Sequence, residues 1–341
     1  MSKFVLWGGF GGLNLGDDLI LVSTIRDLER FDIDGCVFLM GSDWSFIQNS
    51  IRVDFRLVED SFLNRFNSYR EGYCLVVPGG QVIDDECKYF PYGKLTLDVL
   101  LSRLFTKQYP YILSVGVRNV SSKLHKMYAW IHRSSIQKII ARDAVSQSNV
   151  EKIYGKHKST IMLDPVVANE SLWLRRDHVN PDANTGKALL VMGVEKARHD
   201  SCSMLALAGR FCKLRLQGAL SVMQHDRRFD QDTASIRKSD KDLDLCEVGW
   251  PTGLDELLSA YRAHLYVFTN RLHVALVGLI NGCLVHLDSN TPKLESIKCM
   301  GFSLASYEVD GLTFHYLDEN GWRQLQDAVE QREEVLKSLF K

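Results

Sequence analysis

In Leu265-Tyr266-Val267-Phe268-Thr269-Asn270-Arg271-Leu272-His273-Val274-Ala275-Leu276-Val277-Gly278-Leu279-Ile280-Asn281-Gly282-Cys283-Leu284-Val285, a short apolar run ends at Thr269 and polar residues follow. A nearly all-apolar segment of helical length then leads through Gly282 into a second apolar run. Short apolar runs bounded by turn residues read as buried strands, and a helix that is hydrophobic all round must itself be covered. The segment is therefore a strand–helix–strand unit with Arg271 and His273 at the mouth of its helix. A lone histidine in apolar surroundings is usually a satisfied core residue. Two ionisable groups at one helix N-terminus instead form a place to hold an anion.

Outward from this unit the same alternation recurs, as expected of βα units around parallel sheets. In the first half it predicts strands over 4–7, 36–40, 74–77, 111–115 and 139–141, and helices over 18–30, 96–107, 121–135 and 144–154. From Arg175 to Gly186 the periodicity stops in a polar stretch that reads as a linker. Beyond it, strands are expected at 188–192, 212–216, 243–248, 265–269, 284–287 and 314–317. Helices are expected at 201–209, 226–237, 252–262, 272–281 and 292–300. The expected fold class is α/β, two doubly wound Rossmann-like domains facing across a cleft. The first spans 1–175, the second 186–320, and a charged amphipathic helix over 321–341 is free to pack back on the first. Open sheets of this kind place ligands outside the carboxyl ends of their strands.

Composition narrows the function. Of the 341 residues, 45% are apolar, enough for sizeable cores. The 41 basic and 42 acidic residues balance, and no basic stripe interleaves with aromatics, which argues against nucleic acid as a partner. The eight cysteines are scattered, with no C-x-x-C, so neither a zinc site nor a disulfide framework is expected. The N-terminus runs directly into a strand, without a signal-peptide pattern, and no uninterrupted apolar span crosses a membrane. A cytoplasmic protein is expected, with peripheral contact at the inner face of a membrane left open.

Three further features sit at strand ends. Gly8-Gly9-Phe10-Gly11-Gly12-Leu13-Asn14-Leu15-Gly16-Asp17-Asp18 joins the first strand to the first helix, where glycines let main chain approach a ligand. It does not match G-x-G-x-x-G, and Asp17 and Asp18 would equally complement a helix dipole. Val76-Val77-Pro78-Gly79-Gly80-Gln81 follows a buried strand. Ala141-Arg142-Asp143 ends another, and an arginine fork there suits a phosphate or carboxylate.

The ordered series Asn14-x-Gly16-Asp17, Gly79-Gly80, Arg142-Asp143 with Ser146, Asp164-Pro165, Arg271-Leu272-His273, and Lys293 before Gly301 resembles the polysaccharide pyruvyl transferase family. One departure is Gln81, where many members look triply glycine-rich. The resemblance implies a GT-B-like fold, phosphoenolpyruvate as donor, a sugar or lipid-linked oligosaccharide as acceptor, and no metal or organic cofactor. The pathway implied is exopolysaccharide or cell-surface polysaccharide biosynthesis. The chemistry of such a transfer makes His273 the candidate acid and Asp17 the candidate base or sugar-orienting carboxylate. Arg271, Arg142, Leu272 and Lys293 fall on the phosphoenolpyruvate side. Asn14, Gly16, Asp18, Gly79 and Gly80 fall on the sugar side. Two rival readings are a nucleotide-sugar glycosyltransferase of the same architecture and a non-catalytic sugar-binding relative.

Overall fold

Runs such as Cys74-Leu75-Val76-Val77 have every residue buried, which a parallel sheet covered on both faces requires. The computed structural model describes residues 2–12, 14–31, 33–41, 43–51, 55–85, 91–174, 187–192, 198–216, 220–224, 245–287 and 293–340. It contains two such sheets.

The first half runs β1 (Ser2–Leu6), α1 (Leu15–Leu28), β2 (Ile33–Leu39), α2 (Ser45–Ser50), β3 (Arg56–Glu59), α3 (Phe62–Arg70), β4 (Cys74–Val77) and β5 (Gln81–Ile83). It continues with α4 (Tyr92–Thr106), β6 (Tyr111–Val117), α5 (Lys123–His132), β7 (Ile139–Ala141), α6 (Ala144–Tyr154), β8 (Ser159–Ile161) and α7 (Pro165–Ala168). The sheet order is β3-β2-β1-β4-β6-β7-β8, with β5 paired to β6. The second half runs β9 (Ala188–Met192), α8 (Arg198–Phe211), β10 (Leu220–Gln224), β11 (Leu245–Val248), α9 (Leu254–Arg262), β12 (Tyr266–Thr269) and α10 (Leu272–Ile280). Then come β13 (Leu284–Leu287), α11 (Lys293–Lys298), β14 (Ala305–Val309), β15 (Leu312–Tyr316) and α12 (Glu319–Phe340). Its order is β11-β10-β9-β12-β13-β15-β14, parallel except that β15 runs antiparallel to both β13 and β14.

Strand order reverses between β1 and β4 in one sheet and between β9 and β12 in the other. Such switch points are where doubly wound folds open a crevice. A single core runs through both halves, joining Leu6 and Val76 of the first sheet to α1, α7, α10 and Val191 and Val267 of the second. The far face of each sheet has a core of its own.

The last helix returns to the first half. Phe340 packs edge-on against Phe4 with ring centroids 5.2 Å apart. The buried Arg332 guanidinium donates to Asp27 Oδ2 (2.7 Å), Ser114 Oγ (2.8 Å) and the Leu163 carbonyl (2.6 Å). Ser114 is a buried non-glycine residue at φ 51°, where the β6–β7 register shifts, so these bonds hold a strained position.

Two differences from the sequence reading have physical causes. The span 212–216, expected as a strand, is a π-helical turn that continues α8. Its alternation of apolar and basic residues is too short to fix a period. The strands β3, β5, β8, β10 and β14 are additional to those expected. The predicted helix over 226–237 and the linker over 175–186 lie outside the described residues.

Replacing a buried, multiply bonded arginine leaves partners unsatisfied. Arg332→Met is expected to lower stability by about 3 kcal/mol, read from the urea midpoint. A loss below about 0.5 kcal/mol would show that the bonds contribute nothing net.

Candidate active site

The two switch points face each other, and the loops after β1, β4 and β12 meet there. Asn14 caps α1 through Oδ1, which accepts from the Gly16 N–H at 3.1 Å, while Nδ2 donates to Asp17 Oδ2 at 2.9 Å. Asp17 lies against the glycine turns: a Cβ on Gly9 would stand 2.9 Å from its Oδ2. Gly79 and Gly80, at φ 153° and 82°, complete the turn beside it in backbone that other residues rarely adopt.

Asp18, one residue on, turns inward. Its Oδ1 accepts from the Gly11 N–H at 2.7 Å and it is buried. Burial raises its pKa to about 7, with Asp17 and Asp43 adding to the rise and the Gly11 hydrogen bond opposing it. It shapes the loop from behind and does not line the cavity.

From the second half, Arg271 occupies the N-cap position of α10 and His273 lies in its first turn. Gly16 sits directly under the imidazole, where a Cβ would come within 2.8 Å of His273 Nδ1. The glycine of the Asn14-x-Gly16-Asp17 pattern thus makes room for a side chain from the other domain. On its other edge, His273 Nε2 lies 3.4 Å from Asp164 Oδ2. Asp164 has no exposed surface and caps α7 through the Val166 N–H at 3.0 Å. Burial opposes its ionisation. The charge and hydrogen bond of His273, the Arg142 guanidinium and the Val166 N–H outweigh that and hold its pKa below the usual carboxylate value.

Arg142 ends β7 and is nearly buried. Its Nε donates to Asp143 Oδ2 (3.3 Å) and its Nη2 to Gln81 Oε1 (3.5 Å). Asp143 in turn caps α6 through the Ser146 N–H at 2.7 Å and accepts from Ser296 Oγ of α11 at 2.8 Å. Gln81, the departure from the glycine-rich pattern, therefore acts as a strut for the arginine.

These groups border one cavity of about 660 Å³ between the halves. Asn14, Asp17, Gly80, Arg142, Arg271, Leu272 and His273 all line it, whereas Gly16 and Gly79 stand behind the lining. Lys293 opens α11, and its side chain lies outside the described residues. Arg118, Gln81 and Ser296 also line the cavity. The family series included Asp164 without a role and marked Gln81 only as a departure, and the sequence carried no signal for Ser296; all three act through partners distant in the chain. A cavity of similar volume behind α12 holds neither the histidine nor the paired arginines.

Two Rossmann-like domains with cations gathered between their switch points define a GT-B-like α/β protein with an interdomain site. The chain belongs to the polysaccharide pyruvyl transferase family, a family of transferases whose model matches residues 14–285. No curated protein matches it. Among solved structures, it is similar to UDP-GlcNAc 2-epimerase from Neisseria meningitidis, with 11% identity, TM-score 0.57, and 99% of this chain and 92% of that one covered. It is also similar to the epimerase of Methanocaldococcus jannaschii, with 12% identity, TM-score 0.58 and 99% of both chains covered. Anabaena HepE in complex with UDP and glucose gives 10% identity and TM-score 0.57, covering 99% of this chain and 91% of that one. These likenesses show the GT-B fold.

Asp18 gives a pH test with a definite sign. Its folded pKa of about 7 lies above the unfolded value of 3.8, so its contribution is full below about pH 4 and is lost as pH rises through 7. Asp18→Asn, which keeps an acceptor for Gly11, is expected to match the parent near pH 4 and exceed its stability by up to about 4 kcal/mol at pH 8. Urea denaturation at both pH values reads the difference. Gly16→Ala, by contrast, forces a methyl group into His273 and should destabilise by about 1–3 kcal/mol at any pH.

Proposed function

We propose that the protein transfers the enolpyruvyl carbons of phosphoenolpyruvate to a pair of sugar hydroxyls, forming a pyruvate ketal and releasing inorganic phosphate. The observation that carries this reading is the convergence of Arg142, Arg271 and the Asp164-backed His273 on one cavity, opposite Asn14 and Asp17. Phosphoenolpyruvate presents a phosphate and a carboxylate close together. Two arginines from different domains match that pair of anions, and planar forks bind such groups bidentately.

Ketal formation starts with a proton added to the methylene carbon, which leaves an oxocarbenium-like centre at the carbon bearing the carboxylate. One sugar hydroxyl attacks that centre. Phosphate then departs with the bridging oxygen, and the neighbouring hydroxyl closes the ring. Of the two hydroxyl protons lost, one balances the methyl group and the other leaves with phosphate. His273 supplies the first proton. Asp164 engages its Nε2 and Gly16 packs against the ring, which fixes the imidazole at the cavity wall. Asp17, oriented by Asn14, receives a hydroxyl proton. Leu272 and Lys293 belong to the donor side, and Gly16, Gly79 and Gly80 shape the acceptor side. The acceptor belongs to a polysaccharide or its lipid-linked precursor.

Phosphate release from phosphoenolpyruvate in the presence of a sugar panel, with mass spectrometry for the ketal, tests the reading. His273→Ala should lower kcat by about 10²–10⁴-fold with donor binding kept. Arg271→Ala should weaken donor binding by about 10–100-fold. Near-normal turnover in His273→Ala would remove its role as acid. Thermal stabilisation by UDP-sugars and not by phosphoenolpyruvate would transfer the site to nucleotide-sugar chemistry.

A further inference from the structure

Helices α3, α4 and α5 pack side by side in the layer that covers the far face of the first sheet, with α6 beyond α5. Phe66 meets Phe105 with centroids 5.3 Å apart, and Tyr92 meets Tyr128 at 5.9 Å. Its inner side is core. Its outer side carries Trp130 at 73% exposure, Leu104 at 69%, Leu63 at 64% and Phe62 at 56%, together with exposed Met127 and Phe105. Scattered exposed apolar residues need no explanation, but large ones gathered on a single helical layer do.

The charge on these three helices is one-sided. The stretches 62–70, 92–109 and 123–138 contain nine lysines and arginines and one acidic residue, Asp98, which is buried. Two of the nine, Arg65 and Lys94, are buried with it. In a chain of net charge −1, this is a local excess of seven positive charges. Arg70 lies over the Phe66 ring at 5.9 Å and Arg103 over Tyr109 at 4.1 Å, so cations and aromatics share one surface. Glu71, just past α3, is engaged by Arg56 at 3.4 Å.

We propose that the α3–α4–α5 face seats the protein on an anionic phospholipid bilayer. Tryptophan, phenylalanine and leucine beside lysine and arginine, without acidic groups, is the composition of surfaces that enter the headgroup boundary. A second copy of this chain fits poorly, because a two-fold interface would set the same positive charges against each other. The layer also reaches the site. Asp85, which lines the cavity, accepts from the Ser121 and Ser122 N–H groups at 2.9 and 3.1 Å, and α5 begins at the next residue, Lys123. Seated this way, the cleft opens beside the lipid surface and receives its acceptor by a lipid anchor. That last point rests on the proposed function; the membrane contact does not.

Co-sedimentation of the full chain with vesicles of neutral phosphatidylcholine, and of phosphatidylcholine with about one-third phosphatidylglycerol, tests the contact. Partition onto anionic vesicles should exceed that onto neutral ones by about tenfold or more and fall with salt. Lys123→Glu with Lys126→Glu, and separately Trp130→Ser with Leu104→Ser, should each reduce it about tenfold. All four positions are exposed, and phosphate release with a water-soluble sugar should be unchanged in both variants. Equal partition onto both vesicles, or variants that bind like the parent, would overturn the proposal. So would a stable dimer that Trp130→Ser with Leu104→Ser dissociates. Absence of phosphate release with every acceptor would count against the ketal reaction alone, since vesicle binding is read without turnover.

Discussion

A carboxylate with no exposed surface cannot stay ionised on its own, and Asp164 is such a group at the seam between the two halves. Its hydrogen-bonding partner from the other domain is His273, 3.4 Å away, and the Arg142 guanidinium acts from its own sheet. The pairing works only while α10 rests on α1, so the charge balance of Asp164 and the closure of the cleft depend on one another. Much of the surrounding geometry serves this contact. Gly16 leaves space for the ring, Pro165 starts the short helix that Asp164 caps, and Arg332 holds the Leu163 carbonyl immediately before it.

The two arginines are prepared differently. Arg142 is held in place by Gln81 and Asp143, and Asp143 also receives Ser296 from the second domain. Arg271 stands at the N-cap of a helix apolar but for His273, and its backbone N–H is fixed by Thr269 Oγ1 at 3.0 Å. A cation anchored in each half means that an anion between them is gripped by the relative position of the domains. Preorganised charge of this kind costs little reorganisation when charge develops in a reaction.

Most central strands were legible because burial on both faces leaves no choice but continuous apolar residues, as in 74–77 and 139–141. Three edge strands were not, nor was the interior β10. Arg56–Glu59, Ser159–Ile161 and Ala305–Val309 each keep exposed positions, and over three to five residues that leaves no distinctive pattern. The site divides in a similar way. Arg271, His273, Arg142, Asn14 and Asp17 stand at element boundaries where local sequence marks both the turn and the charge. Asp18 carries the same marks as Asp17, yet one residue of helix is about 100° of rotation, which sends it into the core. Asp164, Gln81 and Ser296 act through partners between 61 and 153 residues away, and no local pattern encodes such pairing.

The return of α12 sets the order in which the molecule can be completed during synthesis. Domains commonly fold as units while the chain is still emerging, the N-terminal one first. Here the first half leaves the ribosome with its own surface unfinished. Phe4 and Tyr111 wait for Phe340, and Ser114 and Asp27 wait for Arg332, both on α12. The nascent first half therefore exposes an apolar face, and Asp27 lacks Arg332, until α12 has emerged. A ribosome stalled before α12 has emerged would present that face to chaperones.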